Sequence, residues 1–237
     1  MRFSKPLVAA LVLAATTASG KPVNDSTALA PDNPFAKEST LPYQLPPLDK
    51  IKDESFRPAL LAGMAEARKE IDAIAQNPAA PTFENTIVAM ERSGQLLSRA
   101  VTVFFNLTAS NTNPQLEALQ TEMSPKLSAH NDAIYLDPAL YARVRTLYEA
   151  RASLQLDPES LRLLERYHTN FVRAGARLSD ADKTRLKQLN EQISKLTTEF
   201  QQTVLKGVNA AAVVVDNRAE LDGMSDEQIA TAAEAAK

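Results

Sequence analysis

Pro81-Thr82-Phe83-Glu84-Asn85-Thr86, running on into Ile87-Val88-Ala89-Met90, opens a long amphipathic helix and sets the reading of the whole chain. Thr82 is placed to cap that helix, its hydroxyl oxygen accepting a backbone N–H that has no partner inside the first turn. Beyond it, Phe83, Ile87, Met90, Gly94, Leu97, Val101 and Phe104 recur at steps of four and three. Such spacing keeps one seam turned towards a neighbouring helix.

The same period holds on either side. Upstream, Phe56, Leu60, Met64, Ala67, Ile71 and Ile74 form a second stripe, ended at Asn77-Pro78 because proline disfavours a helical residue before it. Downstream, Asn113-Pro114, Asp137-Pro138 and Asp157-Pro158 each place a side-chain acceptor at the N-cap and proline at the first helical position. Pro125 should kink or divide the first of these three helices. Ser179 with Asp182 approximates a capping box for a further long helix, with Leu186, Leu189, Ile193, Leu196, Phe200 and Val204 on one side and Gly207 closing it. Ala211 to Val215 is the one short β-branched run, and Ser225 with Gln228 caps an Ala-rich helix that runs to Lys237. The predicted fold is all-α: a bundle of long antiparallel helices with an extended N-terminal leader and at most one short strand near 211–215.

Composition narrows the function classes. The first twenty residues read as a signal peptide: Arg2 and Lys5 precede an apolar run from Leu7 to Ala15, and Ala18 and Gly20 set small residues before a cut at Lys21. Export to the periplasm is therefore expected, with no membrane attachment after the signal is removed. Losing Arg2 and Lys5 would take the net charge from −3 to −5, and no basic stripe with interleaved aromatics is present, so nucleic acid is not an expected partner. Residues 21–50, rich in Pro, Asn, Asp and Ser, read as an extended leader with Phe35, Leu41, Tyr43, Leu45 and Leu48 as anchors; residues 51–237 form the helical region.

The residues offer no active site of their own. The only histidines, His130 and His168, are 38 positions apart, whereas an H-E-x-x-H helix needs two imidazoles on one face. Glu165 and His168 have the Glu-x-x-His spacing of di-iron bundles, but that site needs the pair twice, and His168 lies on an apolar stripe that favours packing. With no cysteine, no Gly-rich phosphate loop and no nucleophile elbow, we assign no catalytic, cofactor-binding or metal residue.

A family resemblance adds to this reading. Asn77-Pro78 through Thr86, Glu91 to Leu97, Asn33-Pro34-Phe35, Leu41-Pro42-Tyr43, Leu48 to Met64, Phe104 to Leu107, Leu163 to Gly175, Leu189 to Phe200 and Val213 to Asp216 together resemble the N-terminal region of thimet-oligopeptidase/neurolysin-type zinc metallopeptidases, bacterial peptidyl-dipeptidases most of all. Ser55 departs from the histidine expected there. The resemblance implies two helical halves around a narrow channel for short peptides, release of C-terminal dipeptides, and zinc held by H-E-x-x-H and a later Glu. Those zinc residues have no counterpart here. The expectation is thus an N-terminal channel-wall portion whose catalytic half is missing, inactive alone, with zinc only in the full-length enzyme. A free-standing helical peptide-binding protein, or a regulator that pairs with a full-length peptidase, is the alternative.

Overall fold

The computed structural model describes residues 28–235 except 212 and 216; the signal-peptide reading of 1–20, the start of the leader, Asp216 and the last two residues fall outside that description. Helix α1 (Asp53–Ala75) runs through the middle of the bundle. A π-helical turn over Phe83–Val88 leads into the short α2 (Ala89–Glu91), followed by α3 (Gln95–Ser110), α4 (Pro114–Tyr135), α5 (Pro138–Glu149), α6 (Pro158–Arg173), α7 (Asp180–Ala210) and α8 (Asp226–Ala235). No strand occurs among the described residues, in keeping with the all-α expectation. Val213 and Val214 lie exposed in irregular chain: β-branched residues favour a strand only where an edge is there to pair with them.

Two apolar cores meet along α1. Its first half contributes Phe56, Ala59 and Leu60 to a core with Leu96, Phe104, Leu116 and Met123, and the rings of Phe35, Phe56 and Phe104 follow one another at 5.4 Å. Its second half places Ile71 and Ile74 against Ile87, Leu140, Val144, Leu147, Leu164 and Phe171. Burying one such Leu or Phe stabilises the fold by roughly 1.5–3 kcal/mol, so these stripes carry the bundle. α1 and α3 cross with their backbones close: a Cβ on Gly63 would stand 2.7 Å from the Cα of Leu97.

Start signals hold well. Thr82, Asn113, Asp137, Asp157 and Ser179 all accept N-terminal backbone N–H groups. Ser55, the family departure, caps α1 by accepting from the Lys52 N–H at 3.2 Å.

Three expectations are corrected and one is narrowed. The helix opened by Thr82 is not continuous to Phe104: it breaks at Arg92–Gly94, where Gly94 takes φ +70°, and the Gly94 N–H that starts α3 is held by Glu70 Oε2 of α1 at 2.7 Å. An external carboxylate at the new N-terminus makes that break favourable. Of the two outcomes expected at Pro125, a kink or a division, division does not occur: α4 runs as one helix from Pro114 to Tyr135, with α1 and α7 packed along it. Gly207 does not close α7, which continues to Ala210, since glycine ends a helix only by going left-handed. In the leader Phe35 is buried as an anchor, whereas Leu41, Tyr43, Leu45 and Leu48 are exposed: Tyr43 and Gln44 turn left-handed there and swing the chain off the bundle.

Candidate functional site

The residues around Thr82 do structural work that begins with Arg143 on α5. Its Nη1 donates to the carbonyls of Asn77 (2.8 Å) and Ala79 (3.0 Å), its Nη2 to Asn85 Oδ1 (2.8 Å), and its Nε to Thr86 Oγ1 (3.3 Å). Asn85 Oδ1 also accepts the Thr82 N–H, and its Nδ2 donates to the Ala80 carbonyl. The guanidinium is 7% exposed with no ion pair among the described residues, and burial lowers its pKa. A buried cation is tolerated here because every face of its fork meets an oxygen. The motif thus clamps the turn between α1 and α2 to α5. A lone Arg at an apolar-periodic position, between Leu140 and Val144, is the sequence signal for it.

Neither histidine is arranged to hold a metal. His168 is buried, its ring stacked on Tyr148 with centroids 3.7 Å apart and planes 4° apart, as packing on the apolar stripe requires. Its Nε2 lies 3.5 Å from Arg177 Nη2, and burial, then the Arg177 and Arg151 charges, lower its pKa. Glu165 pairs instead with Arg162 at 3.6 Å. Burial, then Arg68, likewise lowers the pKa of His130. Among the described residues no three His, Asp or Glu side chains gather as a metal would need.

His130 does belong to a site of another kind. Between α3 and α7, floored by α4, lies a trough of about 840 Å³. Leu97, Val101 and Phe105 form one wall; Gln120, Ser124, Leu127, Asn131 and Ile134 the floor; Ser194, Thr197, Thr198 and Gln201 the other wall. Tyr135 and Tyr167 close one end, where Tyr167 donates to Glu91 Oε1 at 2.5 Å; burial, then Glu91, raises the Tyr167 pKa. The lining includes no Asp, Glu, Lys or Arg.

The wall formed by α7 has two different faces. Its inward face is polar: Asn190 donates to Asp132 Oδ1 at 2.7 Å, Thr198 is buried, and Gln202 Nε2 donates to the Glu117 carbonyl at 3.0 Å. Its apolar stripe faces outward: Ile193, Leu196, Phe200 and Val208 are 59–69% exposed. A signal was present, since positions 190, 194, 197, 198, 201 and 202 are all polar yet uncharged, whereas the charged residues of α7 all lie at other positions. Large apolar stripes left open on a helix mark an interaction surface.

No family model matches the chain. Dipeptidyl carboxypeptidase of Escherichia coli (strain K12) is 47% identical over 205 residues, which are 86% of this chain and 30% of that protein. The protein of the same name from Salmonella typhimurium is also 47% identical over 205 residues, with the same coverage. Oligopeptidase A of Escherichia coli is 22% identical over 191 residues, 81% of this chain and 28% of the relative. The chain therefore spans about 30% of the length of the dipeptidyl carboxypeptidases it matches, and the match lies in their N-terminal portion.

Proposed function

Because this chain belongs, over the N-terminal portion that it matches, to the peptidase family of dipeptidyl carboxypeptidase and oligopeptidase A, we propose that it forms one wall of the peptide channel of an exported zinc peptidyl-dipeptidase. The observation that carries this reading is the outward apolar stripe of α7, a surface suited to the large remainder by which the relatives exceed this chain. That remainder would supply catalysis. His130 and His168 do not fit the zinc site of the family resemblance, one facing a trough without acidic residues and the other stacked on tyrosine, so no step of hydrolysis is assigned to this portion. Its contribution is to hold the channel wall in shape, through the Arg143 clamp and the two cores.

Residues 1–20 would direct the chain to the periplasm, with short peptides as the substrates of the assembled enzyme. Amino-terminal sequencing of secreted material should begin at Lys21; recovery of uncleaved chain would count against export. Incubated alone with a short unblocked peptide and added zinc, the purified chain should release no dipeptide. Zinc-dependent release would overturn the reading.

A second reading is favoured by the trough: a free-standing helical protein that binds peptides without cleaving them, or that regulates a peptidase by docking onto it. It requires α7's stripe to remain exposed in a soluble monomer, which sedimentation at rising concentration measures directly.

A further inference from the structure

The channel-wall reading leaves open what fills the trough between α3 and α7. We propose that it seats one uncharged amphipathic helix from the remainder of the family polypeptide, and that the trough is an assembly surface distinct from any that holds substrate. This rests on the channel-wall reading.

Three observations carry it. First, α3 and α7 both pack on α4 but lie apart, so α4 is left as an open floor with a helix on each side. From Gln120 to Ile134 that floor runs about four turns, roughly 21 Å, the length of an ordinary helix. Second, the lining has one apolar wall at Leu97, Val101 and Phe105, a facing wall of hydroxyls and amides such as Thr197, and no Asp, Glu, Lys or Arg. A substrate peptide carries its terminal charges into whatever holds it, and nothing here would answer them. An inserted helix satisfies its own backbone and asks only for apolar contact and a few hydrogen bonds, which is what the lining provides. Third, the trough shares a wall with the exposed stripe: Leu196 points outward and its neighbour Thr197 lines the trough, so one partner covering α7 reaches both sides.

The chain has no cysteine, so single introduced thiols report on each side separately. L196C and T197C are alkylated with iodoacetamide in this chain alone and in an intact Escherichia coli dipeptidyl carboxypeptidase whose 205 matched residues are replaced by those of this chain, each read against the same protein without the added thiol. Assembly should slow labelling of both thiols by at least about tenfold. If Leu196→Cys is protected and Thr197→Cys is not, assembly through α7 stands and the trough proposal fails. Protection of neither removes both. Thr197→Cys slowed instead by a millimolar short peptide would make the trough a substrate subsite, and slowing by the chain's own concentration would make it a self-association face; either result overturns the proposal. Thermal unfolding of both variants, expected to match the parent, guards against misfolding.

Discussion

Arg143 Nη2 donates to Asn85 Oδ1 at 2.8 Å across 58 positions of chain, and this bond fixes the motif that opens the second helical segment to the face of α5. The same guanidinium takes two backbone carbonyls that end the loop after α1. Replacing it by alanine leaves several buried acceptors without a donor, so Arg143→Ala should cost about 2–4 kcal/mol of unfolding free energy. Arg143→Lys should recover only part, because a single ammonium cannot serve a planar fork of acceptors. Urea titration of the three proteins measures the order.

Glycine is needed at two places on the α1–α3 crossing. Gly63→Ala puts a Cβ into the Leu97 backbone and should destabilise by about 1–3 kcal/mol, as overpacking does. Gly94→Ala meets only the Ala67 Cβ, at an ordinary contact distance of 3.6 Å, but must hold φ +70°, and should cost about 1 kcal/mol. Equal effects would mean that the helices separate to relieve the clash.

Asp132 on α4 accepts from Asn190 on α7, yet burial raises its pKa. The sign follows: the native state prefers the protonated acid, so this group's contribution is fully favourable below the unfolded value near 3.9 and is lost as pH rises through the higher folded pKa. Asp132→Asn keeps an acceptor for Asn190 and removes the desolvated charge. It should raise stability at pH 7 and change little at pH 3, read from thermal unfolding at both pH values.

His168 titrates in the opposite sense. Burial and neighbouring arginines hold its pKa below the ordinary value, so its contribution is complete above about 6.5 and is lost as pH falls through the folded pKa. Imidazole resonances should place that titration below pH 6.5, and His168→Phe, which preserves stacking on Tyr148, should remove this part of the acid sensitivity. A normal titration would mean that the ring is solvated.

The outward stripe of α7 contributes little to this chain's own fold. Ile193→Ser with Phe200→Ser should change stability by no more than about 0.5 kcal/mol while raising solubility. A large loss would show that the stripe is buried, against the present geometry.

Much of this was legible in the sequence, and what was not has identifiable physical causes. Helix starts were readable because a cap is a local bargain: Asn113, Asp137 and Asp157 each bond an N–H two or three residues away. Stripes on α1, α5 and α6 were readable because apolar period and burial coincide there. The break at Gly94 was hidden because the carboxylate that favours it comes from Glu70, 24 positions away. α7 is a separate case. Periodicity reports which residues seek burial, and among the described residues nothing covers Ile193, Leu196 and Phe200. The candidate site was least legible, since a trough depends on how three helices are spaced, which no single helix encodes.

The central claim is that this chain is a channel wall that works only when joined to a catalytic remainder. The direct test replaces the 205 matched residues of the Escherichia coli dipeptidyl carboxypeptidase with those of this chain and measures dipeptide release from a short peptide. The account predicts an active chimera that loses activity when Ile193, Leu196 and Phe200 are changed to aspartate. A folded chimera without activity, or one indifferent to those three changes, would contradict it.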